Sequence, residues 1–155
     1  MKAGVVVRRA GVEDLEGVLR VERGTSEAPH WDEVQYRTML QDGGQDILRR
    51  VLFVAVDGKR VVGFAAGAVV LEEAELESVA VDDAWRRCGV GRALSEAVFM
   101  WAGAQGAKQV RLEVRAANEA AQALYRELGF ETRGMRRGYY VDPVDDAVLM
   151  TLTLH

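Results

Sequence analysis

The stretch that most constrains this chain is residues 76–94, which read LESVAVDDAWRRCGVGRAL. Its first six residues alternate with a period of two, which predicts a β-strand. A turn containing Gly89 and Gly91 follows, and a helix-forming run extends from residue 92 to about residue 105. A glycine turn between a strand and a helix gathers unpaired amide N–H groups at the positive end of the helix dipole. These features favour a phosphate-bearing ligand, with a plain strand-to-helix connection as the alternative.

The spacing within this turn discriminates between phosphate-binding motifs. A Walker A motif needs a lysine after its last glycine, and the dinucleotide fingerprint needs Gly-x-Gly-x-x-Gly, so neither fits. The pattern Arg86-x-x-Gly89-x-Gly91 instead resembles the Arg/Gln-x-x-Gly-x-Gly/Ala pyrophosphate loop of the GCN5-related N-acetyltransferase (GNAT) superfamily. That resemblance implies an acyl-CoA N-acyltransferase fold, a central mixed, twisted α/β sheet with helices on both faces. It also implies that the strands at 75–81 and 110–114 splay apart and hold the pantetheine arm of acetyl-CoA.

Length and composition exclude several other classes of protein. We expect one domain over residues 1–155, because a chain of this length buries roughly two thirds of its unfolded surface. No apolar run approaches the roughly 18 residues that span a bilayer, and the N-terminal sequence lacks the apolar core of a signal peptide. The lone cysteine, Cys88, suits a reducing cytosol, so we expect a cytoplasmic protein with no membrane partner. The net charge of −4 argues against a nucleic-acid partner, and two distant histidines, His30 and His155, give no basis for a metal site.

Hydrophobic periodicity and turn residues predict an ordered series of elements along the chain. The first half of the chain is predicted to contain a strand at 5–7, a helix at 12–23, a helix from the N-cap Asp32 to about residue 41, and two strands at 51–56 and 61–71 joined by an Asp57-Gly58 turn. The second half is predicted to contain the strand at 75–81, the helix after residue 91, a strand at 110–114, a helix from Asn118 to Leu128, and closing strands at 130–140 and 147–154. Gly63 and Gly67, inside the second hairpin strand, suggest a bulge or close packing. This order gives a mixed sheet with helices on its faces.

The last predicted helix carries a second motif. Asn118, Gln122 and Tyr125 share one helical face, and Ala121, Leu124 and Leu128 are expected to form the adjacent core face. Residues 118–130, NEAAQALYRELGF, resemble the Asn-x-x-Ala-x-x-Leu-Tyr-x-x-x-Gly-Phe signature of the GNAT superfamily. That resemblance implies that Asn118 contacts the cofactor and that the Tyr125 hydroxyl lies near the thioester sulfur. The alternatives are that Asn118 is only an N-cap and Tyr125 only a half-buried aromatic.

Two glutamates are candidate bases. Glu113 lies in the middle of a predicted strand, where a carboxylate is expected to be paired or functional. It is either a base that takes the proton from a substrate amine, directly or through water, or the salt-bridge partner of Arg111 and Arg115. Glu77 is the alternative base, because strict alternation places it on the same strand face as Val79 and Val81.

The GNAT resemblance also implies a set of cofactor contacts. The backbone near Val79 would polarise the thioester carbonyl, and Cys88 would be small filler of the loop rather than a nucleophile. The residues implied to bind the cofactor are Val79, Ala80, Val81, Arg86, Arg87, Cys88, Gly89, Val90, Gly91, Arg92, Asn118 and Tyr125.

Three further segments resemble the RimI-type ribosomal-protein-alanine N-acetyltransferases: APHW at 28–31, LEVRAAN at 112–118, and RRGYY at 136–140 followed by DAVLM at 146–150. This resemblance implies direct transfer of acetyl from acetyl-CoA to the N-terminal alanine of a small-subunit ribosomal protein. Glu113 and Tyr125 would then be the base and acid, and Tyr139, Tyr140 and the 24–31 loop would line the peptide site. Ser78 departs from the family, which usually has Asn there.

Alternative functions remain open at this point. The acceptor is either a protein N-terminus or another amine, such as a small molecule or a lysine. A domain that binds acetyl-CoA without catalysis, as a sensor, is the alternative of another class. The chain is expected to be a monomer or a homodimer.

Overall fold

One mixed sheet dominates the computed structural model, which describes residues 4–25, 31–40 and 47–155. Its strands within those residues are β1 (Val5–Arg9), β2 (Leu48–Asp57), β3 (Arg60–Val70), β4 (Glu73–Val81), β5 (Gln109–Arg115), β6 (Glu131–Val141) and β7 (Val144–Thr153). They are hydrogen-bonded in the order β1-β2-β3-β4-β5-β7-β6. The helices of the same residues are α1 (Leu15–Arg23), α2 (Glu33–Thr38), α3 (Val90–Ala104) and α4 (Glu119–Glu127).

The predicted elements are all found, with shifted ends. The first helix begins as a 3-10 turn over Val12–Asp14, and β2 starts at Leu48 rather than residue 51. Because Asp57 pairs with Arg60, the hairpin turn consists of Gly58 and Lys59, one residue later than predicted. The predicted end of the second helix, near residues 41–44, lies outside the described residues.

Each face of the sheet carries its own apolar cluster. On the face we call the α1 face, α1 and α2 pack through Val18, Val21 and Tyr36. On the opposite α3 face, α3 contributes Leu94 and Val98, whereas Ala97 and Trp101, on the same side of the helix, are only partly buried.

The close packing predicted at the β3 glycines is confirmed. A Cβ on Gly67 would lie 2.6 Å from Val98 Cγ1, and a Cβ on Gly63 would lie 3.1 Å from Leu94 Cδ1. Helix α3 therefore approaches the sheet as closely as it does because β3 has no side chain at these positions. In the described part of the chain, no helix is long and apolar enough to cross a membrane.

Strands β4 and β5 are parallel neighbours that pair over only three positions, and they splay apart after Glu75↔Arg111. Strand β4 also carries a bulge, because Ala66 pairs with Ser78 while Gly67 pairs with Leu76, so that Glu77 is an extra residue. A bulge bends its strand and increases the local twist, which helps the two strands to separate. The predicted splay is confirmed, and we call the space between the two strands the gap.

Candidate active site

The gap opens into a cavity of about 860 Å³. Strand β4 lines it from Glu75 to Val79, and strand β5 lines it from Leu112 to Arg115. The other lining residues come from Trp31, from α4 and its N-cap (Asn118, Ala121, Tyr125) and from the end of β6 and the following turn (Tyr139, Tyr140, Val141, Asp142). Residues 26–30 of the predicted peptide-site loop, including His30, lie outside the described residues. The fold thus brings the candidate residues Glu77, Glu113, Asn118 and Tyr125 to one cavity.

Glu113 lies on the α1 face, because its neighbours Leu112 and Val114 belong to the α3-face cluster. Its side chain is 26% exposed, and its Oε1 is 3.7 Å from Arg136 Nη1 on β6. A hydrogen bond donated to this carboxylate by the Tyr139 hydroxyl raises the pKa of Tyr139.

The prediction that Arg111 and Arg115 pair with Glu113 is wrong. Side chains two residues apart on a strand start about 6.6 Å from each other, so they do not meet without reaching along the strand. Arg115 instead lies over the Tyr140 ring, 4.2 Å from its centroid, and donates a hydrogen bond to the Pro143 carbonyl at 2.9 Å. The partners of Glu113 come from β6, which the sequence did not indicate.

Glu77 is held by a cation from two strands away. Its Oε2 accepts a hydrogen bond from Arg50 Nη2 at 3.1 Å, and its side chain is 11% exposed. The two long side chains meet across β3 at a stretch of small residues, Ala66 to Ala68. Burial raises the pKa of Glu77, although the positive charge of Arg50 opposes this effect.

The predicted face of Glu77 is wrong. Arg50 and Leu52 share one side of β2, and Leu52 belongs to the α1-face cluster, whereas Val79 and Val81 pack against the α3-face cluster. Glu77, whose carboxylate forms a salt bridge with Arg50, is therefore on the opposite side of the sheet from Val79 and Val81. The physical reason is the bulge at Glu77, which interrupts the alternation that sequence reasoning assumed.

Tyr125 lies on the α3 face of the gap. It is buried, and its ring centroid lies 5.7 Å from that of Phe130. Burial raises the pKa of Tyr125 to about 12, and the negative charge of an ionised Tyr140 is a smaller cause of the same shift. Its hydroxyl therefore stays protonated at any physiological pH and can donate a hydrogen bond to a ligand.

Helix α4 is tied to the end of β5 by two polar side chains. Asn118 Oδ1 accepts a hydrogen bond from the Ala121 N–H at 3.1 Å, so the N-cap reading of Asn118 is confirmed. Gln122 Nε2 donates to the Arg115 carbonyl at 3.1 Å and to the Ala116 carbonyl at 2.9 Å.

The expected core face of α4 is confirmed, although its burial is incomplete. Ala121, Leu124 and Leu128 pack against the α3-face cluster but are only partly buried, whereas Gln122 and Tyr125 are buried. The sequence did not indicate that Gln122 ties α4 to β5, because glutamine is seldom buried. The available signal was its spacing from Asn118 and Tyr125, which places all three residues on one face of the helix.

The turn before α3 has the backbone of an anion-binding loop. Gly89, the N-cap of α3, has φ +81°, and Arg87 is also left-handed with φ +59°. The first turn of α3 has no acidic side chain that would repel an anionic ligand bound at the helix N-terminus. At Gly91 a Cβ would meet Leu124 and Val81 only at 3.8 Å, so this glycine is not required by packing.

The basic side chains of this loop have their own contacts. Arg86 Nε donates to the Val81 carbonyl at 3.2 Å, and Cys88 Sγ donates to the Arg86 carbonyl at 3.4 Å. Arg92 lies 3.4 Å from Glu96 and 3.7 Å from Glu127, whereas Val90 is buried in the α3-face cluster. Ala80 is buried in the α1-face cluster, and it shares with Val79 and Val81 the edge of β4 that has no ladder partner across the gap.

Comparisons with known proteins match most of the chain. The model of the Acetyltransferase (GNAT) family matches residues 17–130. The [ribosomal protein bS18]-alanine N-acetyltransferase of Escherichia coli (strain K12) is 36% identical over 143 residues, which are 91% of this chain and 92% of that protein.

Solved structures are similar over nearly the whole chain. The ribosomal-protein-S18-alanine N-acetyltransferase from Escherichia coli superposes with a TM-score of 0.82 at 33% identity, covering 96% of this chain and 93% of that one. Ard1 from Thermoplasma volcanium gives a TM-score of 0.81 at 27% identity, covering 99% of each chain.

Proposed function

The chain belongs to the acetyltransferase (GNAT) family and is an acetyl-CoA-dependent N-acetyltransferase, and we propose that its acceptor is the N-terminal α-amine of a protein. The finer proposal is the N-terminal alanine of a small-subunit ribosomal protein, acetylated in the cytoplasm. It is supported by the relatives that act on bS18 alanine and by the cavity that Glu113 and Tyr125 both line.

We propose that the cofactor's diphosphate binds at the N-terminus of α3, where first-turn N–H groups lack partners within the helix. The residues of this loop are Arg86, Arg87, Cys88, Gly89, Val90, Gly91 and Arg92. The pantetheine arm would lie in the gap along the open backbone edge of Val79, Ala80 and Val81, beside Asn118 and Tyr125. The left-handed φ of Gly89 and the short β4–β5 pairing support this fit. Acetyl-CoA supplies an acetyl thioester, which the chain's own residues then position for attack.

Glu113 is the proposed base. About a tenth of an α-amine with a pKa near 8 is neutral at pH 7, so a modest base is sufficient to complete the deprotonation. Glu113 is partly exposed at 26%, so it can pass the proton to solvent after each turnover. Glu77 remains the alternative, because its raised pKa also suits a base, but it is less exposed and is bound to Arg50.

Tyr125 is the proposed donor to the departing sulfur. The pKa of Tyr125 is about 12, and that of the departing thiol is about 8.5. Complete proton transfer from Tyr125 to the thiolate would therefore be unfavourable by roughly 5 kcal/mol. Its contribution is therefore a hydrogen bond that stabilises negative charge on the sulfur, rather than full proton transfer.

The chemistry of the cavity favours a cationic acceptor. Among the described residues that line it, four are acidic and one is basic, and the basic one, Arg115, is occupied by Tyr140 and by main-chain carbonyls. Arg50 and Arg136, which contact Glu77 and Glu113, do not belong to the lining. A protonated N-terminus followed by basic residues fits such a lining.

The experiment is a comparison of acceptors. Release of free thiol from acetyl-CoA is measured with an alanine-initiated basic peptide, spermidine and free lysine, and mass spectrometry locates the acetyl group. We expect turnover on the peptide α-amine. Turnover with the small amines alone would overturn the acceptor proposal, and binding of acetyl-CoA without any turnover would support the sensor alternative.

A further inference from the structure

Two carboxylates line the same cavity from the two strands that border the gap. The parallel strands last pair at Glu75↔Arg111, and Glu77 and Glu113 each lie two residues beyond that pair, where the strands have splayed apart. Both side chains lie on the α1 face, and both line the cavity. An acceptor amine that reaches a thioester in the gap therefore enters a cavity that carries a β4 carboxylate and a β5 carboxylate.

Glu77 has one oxygen that accepts a hydrogen bond and one that does not. Its Oε2 accepts from Arg50 Nη2, whereas its buried Oε1 has no hydrogen-bond donor among the described residues. A buried carboxylate oxygen without a donor is unfavourable, so the site gains most from a ligand that brings an N–H group. The contact with Arg50 also holds the carboxylate in a fixed orientation, which suits a positioning function.

We propose that Glu77 orients the acceptor amine, by accepting on Oε1 the N–H hydrogen bond that the nitrogen keeps throughout the reaction. The inference rests on the proposed function only in taking Glu113 as the base. Glu77 neither takes nor gives a proton in this scheme. It fixes rotation of the amine so that the nitrogen lone pair points at the thioester carbon.

The count of N–H groups supports this division of labour. A primary ammonium has three N–H bonds. One proton leaves to Glu113 to give a neutral nitrogen, which then forms the C–N bond as the C–S bond breaks. A second proton leaves the nitrogen as the amide forms and ends on the departing CoA sulfur, so the products are the amide, the CoA thiol and the one proton taken by Glu113. The third N–H stays on the amide nitrogen, and this is the one that Glu77 holds.

A secondary amine supplies a matched test, because it has one N–H fewer. With an N-methylalanine peptide, both N–H protons are lost in the reaction and none is left for Glu77. The experiment therefore measures kcat/KM for an alanine-initiated peptide and for its N-methylalanine analogue, with the wild-type enzyme and with Glu77→Gln. Because Arg50 donates to the Oε2 position, the amide oxygen of the variant should stay there and its NH₂ group should face the acceptor.

We expect Glu77→Gln to lower kcat/KM for the alanine peptide about 10- to 100-fold, the usual range for a lost hydrogen bond to a charged group. For the N-methyl peptide, which is already a slow substrate of the wild-type enzyme, the fall in kcat/KM caused by Glu77→Gln should be several-fold smaller than for the alanine peptide. Glu73→Gln, an exposed glutamate on the same strand outside the cavity, is the matched control. If Glu77→Gln does not fold, Glu77→Met, which removes both oxygens and keeps the chain length, replaces it.

Three results would overturn the inference. The first is an equal loss of kcat/KM for both peptides in Glu77→Gln, and the second is no loss for either peptide. The third is that the pH dependence of kcat disappears in Glu77→Gln but not in Glu113→Gln, which would make Glu77 the base. If the wild-type enzyme acetylates only small amines, the acceptor proposal fails separately. The same comparison with a primary small amine and its N-methyl derivative then still tests Glu77.

Discussion

The two faces of the sheet contribute to the gap in different ways. On the α3 face, the candidate site consists of main chain at the start of α3 and one buried hydroxyl, that of Tyr125. On the α1 face it consists of ionisable side chains, Glu77 and Glu113, each contacted by an arginine from another strand. A main-chain site depends on backbone geometry, whereas a side-chain site depends on the identity of each group. The two faces should therefore respond to substitution in different kinetic constants.

The largest expected effect tests the α1 face. Glu113→Gln keeps the size of the side chain and removes the proposed base, so kcat should fall about 10²- to 10⁴-fold. The KM for acetyl-CoA should hardly change, because the α3 face is intact. Steady-state thiol release with the alanine peptide measures both constants, with the exposed Glu131→Gln as control. An unchanged kcat would move the base assignment to Glu77.

The next effect tests the α3 face through its backbone. Valine at position 89 would have to adopt φ +81°, which costs a residue with a Cβ roughly 1–2 kcal/mol, so Gly89→Val should weaken acetyl-CoA binding about 10-fold. Gly103→Val is the matched control, because it lies near the other end of α3 and a Cβ there would meet nothing within 4 Å. Calorimetry gives the dissociation constants directly. Undiminished binding after both Gly89 and Gly91 become valine would mean that the diphosphate is bound elsewhere.

These two regions also differ in how well the sequence predicted them. The α3-face loop was found from local spacing, since Arg86, Gly89 and Gly91 are close in the chain and act through conformation. The splay of the strands at 75–81 and 110–114 followed from the family resemblance. The partners on the α1 face were not found, because Arg50 lies two strands from Glu77 and Arg136 reaches Glu113 from β6.

Local alternation failed for a physical reason at one residue. The bulge at Glu77 depends on the pairing of β3 with β4, and no residue of the 75–81 strand signals it. Gln122 was likewise misread, because its burial depends on two carbonyls at the end of β5 that only the fold brings within reach.

A smaller effect separates hydrogen bonding from acid catalysis on the α3 face. Tyr125→Phe should lower kcat about 10-fold, the effect of one donor to developing charge. Because the pKa of Tyr125 is about 12, the wild-type kcat should not decline through pH about 10, where an ordinary tyrosine ionises. The pH profile of kcat is measured up to the limit of stability. A descending limb near pH 10 that is absent in Tyr125→Phe would contradict this prediction.

The smallest effect concerns stability, and it distinguishes the faces without any substrate. Burial raises the pKa of Glu77 in the folded state, so the native protein binds this proton more tightly than the unfolded chain does. The stability that Glu77 contributes is therefore present below its unfolded pKa of about 4.3 and is lost as the pH rises through its folded pKa. Glutamine does not titrate, so the Tm of Glu77→Gln minus that of the wild type should increase from pH 4 to pH 7. Tyr125→Phe should give a constant difference over this range, because the pKa of Tyr125 is about 12. If the Glu77→Gln curve ran parallel to that of the wild type, the carboxylate would be as well solvated in the fold as in the unfolded chain, and the charged α1 face would carry no desolvation cost.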